Sequence, residues 1–492
     1  MKRLYYLLVI FLSLIGLWAL AVRLAQGMGV TALTSYISWG LWVAVYIYFI
    51  GLSAGSFLLS TMIYVFGMHQ LERVGRMALL TALFSLAAGL LFVWADLGHL
   101  ERFWEIFTRP SFTSMMAIES WLYLIYMVLI LGELWLLMRD DLATLRDGSR
   151  GWRRRLYDVL ALGHRPVEEP LARGRHEQRI RRWITALGIL GVPTAIGVHG
   201  GTGAIFAVAI ARPYWNGGLF PIVFLVSALA SGAALVTFLY AVFGPRDDQF
   251  PSVLKGVASL TLLFIGIDLL LVLSEAVVGL YGGTPDEVGV FRAIFAGPYA
   301  SLFWLGQLGL AAALPFAIVP IALRKWPLAQ NQASPNRPLG RLRSIALAVA
   351  AIVVASDLGI VASGRAASLA VSGPEQSILP TAIFWVAQLV LVSCIVAPVA
   401  EQWGSPRLWL AAAGLSTVAG ILAVRLNIVI PGFVVPLLEH LDLAYQDPRL
   451  LYTYFPSGIE WASTVGLIAL IVLLFSAAYE VLPIYGIKEG VR

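Results

Sequence analysis

Twelve stretches of about 20 or more mostly apolar residues recur along this 492-residue sequence, at 5–25, 38–65, 76–98, 115–138, 183–211, 219–243, 253–280, 298–323, 343–363, 379–399, 408–427 and 459–482. That patterning leaves few folds open. In lipid every backbone amide must find its partner inside the protein, and a run of this length does so as a helix crossing the bilayer. Gly, Pro and short loops blur the ninth to eleventh stretches, so ten spans is the alternative. Only 13% of residues are charged, against about 25% in a soluble domain, so the protein cannot clothe itself in polar surface. The expected fold is all-α, a polytopic transmembrane helix bundle in a prokaryotic cytoplasmic membrane. Its first stretch follows Lys2 and Arg3 as a secretory leader would, yet the apolar core is long and no small-x-small cleavage site follows. It reads as a retained helix.

Lysine and arginine set the orientation, because cytoplasmic loops carry the excess. With the N-terminus inside, the outer side keeps Arg23, Arg102, Arg109, Arg212, Arg292, Arg365, Arg425 and Arg449, and the other 26 of the 34 basic residues fall inside. Both termini are therefore expected in the cytoplasm. The expected organisation is an N-terminal helix over 1–34, a first helix group over 35–138, a basic cytoplasmic loop over 139–182, a second group over 183–325 and C-terminal helices over 401–492. The basic loop suits anionic lipid headgroups rather than nucleic acid.

The single cysteine, Cys394, rules out an internal disulfide, a cysteine-ligated iron–sulfur cluster and a CxxCH haem attachment. A bis-histidine haem needs paired imidazoles at depth, and of the six histidines only His199 and His99 approach the membrane. No metal ligand set is expected in this protein.

Ionisable groups inside spans are costly and mark pathways or sites. The expected outer ends are rich in them: Asp96, His99, Glu101, Arg102 and Glu105 after the third span, Glu119 and Trp121 in the fourth, His199 and Arg212 in and after the fifth. Acids, imidazole and arginine among tryptophans at the hydrocarbon edge suit an amphiphile with a polar head and an apolar tail. A quinol is one, and its oxidation needs a carboxylate or imidazole as base. For Glu101, Glu105 and Arg109 simple anchoring of helix ends explains the charge equally well. Deeper lie Asp268 and Glu275, two turns apart on one helix face, and Asp357. With Gln307 and Gln388 opposite, they read either as a proton path or as interhelical hydrogen-bonded pairs.

Residues 197–203 read GVHGGTG. In mid-span this is neither a phosphate cradle nor a hydrolase loop. Glycines there permit close helix packing or a flat surface against a ring, and they present one imidazole, His199. The small-residue string SAGS at 53–56 is a similar face.

Five segments resemble the NrfD/polysulfide-reductase membrane subunit family: WGLWVAVYIYFIGLSAGSFLLS, ADLGHLERFW, HGGTGAIFAVAIARPYWNGGLFPIVFLVSALASG, AGPYASLFWLGQLGLAAALPFAIV and YFPSGIEWASTVGLIALIVLLFSAAYEVLP. The likeness covers roughly 35–325 and 405–485, and against shorter members 342–400 resembles an inserted helical hairpin. The family includes the membrane subunits of hydrogenase-2 and alternative complex III. The resemblance implies a haem-free quinone-reactive subunit (menaquinone or ubiquinone) working with a ferredoxin-like iron–sulfur subunit and a molybdopterin or multihaem cytochrome catalytic subunit. It implies a quinone site near the outer face with Ser53, Asp96, Arg102 and His199. Ser53 stands where some relatives carry histidine. On this reading Asp96 is the main proton acceptor, His99, Glu119 or His199 assists, Arg102 and Arg212 orient the head group, and Trp39 and Tyr46 wall the ring. A proton-coupled transporter and a purely structural membrane anchor are the alternatives.

Overall fold

The computed structural model describes residues 2–165, 170–329, 405–436, 447 and 450–486. The spans expected at 343–363 and 379–399, the 342–400 hairpin, and with them Asp357, Gln388 and Cys394, lie outside the described residues. Among the described residues all regular structure is helical, and ten helices are long and apolar enough to cross a membrane. They are α1 (Lys2–Gln26), α2 (Leu41–Tyr64), α3 (Glu72–Asp96), α4 (Met115–Gly148), α5 (Pro170–Ala207), α6 (Phe220–Phe243), α7 (Phe250–Gly282), α8 (a π-helix Leu302–Ala313 continuing as Leu314–Ala329), α9 (Pro406–Val429) and α10 (Gly458–Val481). The molecule is a multi-pass membrane protein.

The helices outrun the apolar stretches that announced them. α4 continues ten residues past the expected end of its span, α5 begins at Pro170 rather than 183, and Trp152–Ala161 adds a short helix between them. Much of the expected basic loop is thus helical. Arginine, leucine and alanine are good helix formers, so hydropathy marks where lipid stops and not where the helix does.

α2 is apolar on all sides and buried along nearly its whole length, as a helix at the centre of a bundle should be. α1 is instead exposed over most of its surface and packs on α10 at the rim. Small residues set both contacts. A Cβ placed on Gly16 would lie 2.5 Å from the Cα of Gly466, so α1 and α10 touch backbone to backbone. α2 meets α6 in the same way through Gly55 and Gly232. Without a hydrophobic drive between helices in lipid, such close approach supplies the packing.

Two arginines counted among the outer-side charges are buried inside the bundle. Arg23 is 1% exposed and donates from Nη2 to the Leu97 carbonyl oxygen at 2.5 Å; Arg425 is fully buried on α9. A third buried charge, Glu460, ties the segment after α1 to the starts of α2 and α10 at one end of the bundle. It closes a capping box with Ser457 at the start of α10, takes 2.5 Å from the Tyr454 hydroxyl, and accepts from the Ala32 amide at 2.9 Å. Tyr454 in turn receives the Leu41 amide at 2.8 Å, which fixes the start of α2 against α10.

Candidate functional site

Glu119 sits one turn into α4 and is 2% exposed. A carboxylate there is costly unless hydrogen-bonded, and three hydroxyls surround it. Tyr123, one turn further along α4, donates at 2.5 Å; Thr202 of α5 donates to the same oxygen; Tyr46 of α2 lies 3.4 Å away. The hydroxyls also meet one another, Tyr46 to Tyr123 at 3.1 Å and Tyr123 to Thr202 at 3.3 Å. Three helices thus converge on one acid.

The glycines of GVHGGTG explain how α5 reaches it. A Cβ on Gly201 would stand 3.7 Å from Cγ of Glu119, in ordinary contact, whereas one on Gly200 would meet nothing within 4 Å. On its next face Gly203 abuts the backbone of Phe220 and Pro221. The string therefore meets Glu119 at Gly201 and the start of α6 at Gly203, while Gly200 leaves an open notch on the side of α5 turned away from Thr202.

One turn before Thr202, His199 faces a different neighbourhood. Its Nε2 accepts from Arg425 Nη2 at 3.4 Å; the same Nη2 donates to Ser227 at 3.1 Å, and the guanidinium lies 4.8 Å from the Phe224 ring. Asp268 stands within electrostatic reach of Arg425. Nε and Nη1 of Arg425 and one oxygen of Asp268 have no hydrogen-bond partner. Replacing Arg425 by methionine removes the charged donor that joins His199 to Ser227, at a cost of about 1.5–3 kcal/mol. A lowered thermal midpoint of the detergent-solubilised protein is the expected measurement.

Asp268 and Gln307 line one narrow cavity, as the pairing of these residues in sequence suggests. An adjoining narrow crevice holds Glu275, Gln307, Asn427 and Tyr214 against Phe291 and Phe303. Asn427 donates to Gln307 at 3.2 Å, and Gln307 belongs to a π-helix, an uncommon element often found at functional sites. Asp268, Glu275 and Gln307 are thus neighbours, while Asp357 is outside the described residues.

The other expected residues disperse. Asp96, half-buried at the end of α3, interacts electrostatically with Arg23 and Glu460. His99 pairs instead with Glu101 at 3.1 Å on the exposed connector between α3 and α4, and Arg102 is exposed on the same connector. Hydrogen bonding to its own backbone amide, and then to His99, holds the Glu101 carboxyl below its ordinary value. Ser53 is fully buried deeper in α2, donating to the Ala82 carbonyl at 2.7 Å. Trp39 stacks 5.8 Å from Trp215 in an aromatic cluster with Phe206 and Phe433. Arg212 lies over Phe433 and donates to the Gly432 carbonyl. Rings run from that cluster through Phe206 and Phe224 to His199.

Tyr123, Thr202, Arg425 and Glu460 escaped the sequence reading. Tyr123 stands four residues from Glu119, and Thr202 lies within the string already singled out. Arg425 carried the clearest signal, a charge inside an apolar span, but was counted with the outer loops. Among the described residues Asp140, His164 and His176 come within metal-binding reach of one another on the basic segment. There Arg139 already donates to His176 Nε2 at 3.1 Å, which opposes a cation at that nitrogen.

Residues 29–334 match the family described as "Polysulphide reductase, NrfD". Across all 492 residues the protein is 40% identical to a selenate reductase subunit of Mesobacillus selenatarsenatis, covering 96% of that relative. It is 26% identical to a polysulfide reductase chain of Wolinella succinogenes, over 57% of its own length and 83% of the relative. To the Hdr-like menaquinol oxidoreductase integral membrane subunit of Archaeoglobus fulgidus it is 27% identical, over 61% of its own length and 66% of the relative. These likenesses accord with the five segments singled out in sequence: the protein belongs to the NrfD/polysulfide-reductase family of membrane subunits of oxidoreductase complexes.

Proposed function

We propose that this protein exchanges electrons between the membrane quinone pool and an iron–sulfur partner subunit at the periplasmic face, with Glu119 as its proton-handling group. The observation that carries the reading is a buried carboxylate ringed by the hydroxyls of Tyr46, Tyr123 and Thr202, with Gly201 of α5 packed against it and Gly200 open next to it in the chain. A planar head group that enters past these two glycines meets an acid that can take or give a proton and hydroxyls that can hold a carbonyl oxygen. Oxidation of a quinol yields the quinone, two protons and two electrons. The protons leave one after the other through Glu119, with the surrounding hydroxyls relaying them. The electrons pass to a ferredoxin-like iron–sulfur subunit, and from it to a molybdopterin or multihaem catalytic subunit; reduction runs the same path backwards. The single cysteine of the sequence is consistent with the clusters residing on a partner. A menaquinol oxidoreductase subunit among the relatives supports a quinone as the carrier.

This reading moves the acid–base role from Asp96 to Glu119. Asp96 lies within electrostatic reach of both Glu460 and Arg23, and we assign it to holding the outer end of α3 against α1 and α10. His199, against Arg425, positions α5. In the complex purified with its partner subunits, quinol is expected to reduce the partner's clusters in a spectroscopic redox titration. Substrate flux through the isolated protein would instead indicate a transporter. Gly200→Leu fills the open surface without touching the bundle interior. It is expected to raise the quinol KM about tenfold with kcat nearly unchanged, as for an interaction lost equally from ground and transition states. Steady-state quinol kinetics measure it.

A further inference from the structure

The Glu119 network does not end at Glu119. Polar contacts join α2 and α4 at three levels: Tyr46 to Glu119, Ser53 to Tyr126 at 3.2 Å, and Ser60 to Glu133 at 3.4 Å. Each pair is separated by 73 residues. On both helices the rungs therefore recur every seven residues, two turns or about 10 Å apart, and the two helices run parallel. Tyr123 fills part of the first interval from α4. Ser53, Ser60, Tyr126 and Glu133 are all fully buried.

Burying so many polar groups in one line is costly unless they serve a purpose or are all satisfied, and they are not all satisfied. Glu133 Oε2 and Ser56 Oγ, between the second and third rungs, have no hydrogen-bond partner. Their free valence is what bridging waters would use across intervals too long for direct contact. Beyond Glu133, Tyr64 at the end of α2 lies in electrostatic reach of Glu133 and also of Glu72, Arg76 and Arg181. Arg76 pairs with Asp141 at 2.5 Å. That charged layer belongs to the face carrying the basic segment after α4, opposite the end where Glu119 lies.

We infer that the α2–α4 seam is a proton path joining the quinone-reactive acid Glu119 to the basic face of the membrane domain, with Glu133 as its second carboxylate. This rests on the quinol reading of Glu119. For each quinol oxidised, the two electrons leave to the iron–sulfur partner and the two protons pass from Glu119 through Tyr123, Tyr46, Tyr126 and Ser53 with bridging water to Glu133 and Ser60. They emerge at the basic face; quinone reduction draws two protons in from that face.

The test uses the whole complex in liposomes, with a pH-sensitive dye on the basic-face side and turnover driven by quinol. Wild-type complex is expected to change the pH on that side in step with electrons. Glu133→Gln should cut that proton yield per electron about tenfold or more, the blocked protons leaving on the opposite side; Ser60→Ala should reduce the yield, and Glu133→Asp should restore it in part. Ser60→Ala removes only a hydroxyl, so it reports even where the glutamine variant assembles poorly. Protons appearing only on the opposite side in wild type, or an unchanged yield in both variants, would overturn the inference. So would a loss confined to Asp268→Asn, which would move the path to the α7 crevice. If wild type fails to reduce its clusters with quinol at all, it is the functional reading that falls.

Discussion

Glu119→Gln in the assembled complex is expected to lower quinol-driven cluster reduction by about 10² to 10³-fold, the range over which a positioned acid–base group contributes. The substitution is nearly isosteric. Its amide oxygen can still accept from Tyr123, Thr202 and Tyr46, which now serve the carboxylate, so the packing of α2, α4 and α5 should survive. What is lost is the capacity to take a proton. The protein should therefore assemble with its partners in normal yield, keep its thermal midpoint and bind quinone, yet turn over slowly. Glu119→Asp tests the geometry separately: a carboxylate shortened by one methylene no longer reaches all three hydroxyls, and an intermediate rate is expected. Stopped-flow reduction of the partner's clusters measures both variants. Full activity in Glu119→Gln would assign the proton chemistry to another residue.

The second large effect is structural. A Cβ on Gly55 would stand 1.8 Å from the Ala228 carbonyl oxygen, and one on Gly232 would stand 2.3 Å from the carbonyl carbon of Gly55. Both contacts are with backbone, which cannot swing aside as a side chain can. Gly55→Val must push α6 away from α2 along the central contact of the bundle, at the upper end of the roughly 1–3 kcal/mol typical of overpacking or beyond it. Because α2 also carries Tyr46, Ser53 and Ser60, the shift would misalign the acid site with the fold. The expected outcome is a several-fold loss of monodisperse protein in detergent extracts. Gly200→Ala, where a Cβ meets nothing, is the matched control and should leave yield unchanged. Size-exclusion profiles of the two variants, side by side, decide the point.

The ten spans among the described residues were legible in the sequence because lipid imposes a length and a polarity that no other environment does. Helix extents were not, since α4 and α5 continue beyond the bilayer on ordinary helix propensity. The acid site was half legible. Glu119, Tyr46 and His199 stood out as polar groups in apolar surroundings, and GVHGGTG as a bare helix face. That Tyr123 and Thr202 close on Glu119, whereas His199 turns to Arg425, depends on the rotation of α5 against α4 and α9, which one sequence does not encode in any local pattern. The seven-residue spacings of Tyr46, Ser53 and Ser60, and of Glu119, Tyr126 and Glu133, are plain in the sequence. Only the fold shows that the two series share one register. Arg23 and Arg425 show where charge counting fails: near a span end it cannot separate a loop charge from one folded back into the bundle.

The central claim is that a quinone head group docks at the glycine string of α5 within reach of Glu119. Photo-crosslinking the whole complex with an azido-quinone, followed by peptide mapping, tests it most directly. Label within residues 196–204 or on the facing turn of α4, competed away by unmodified quinone and weakened by Gly200→Leu, is the predicted result. Competable label confined to the crevice of Glu275, Gln307 and Phe303, with none on α5, would contradict it.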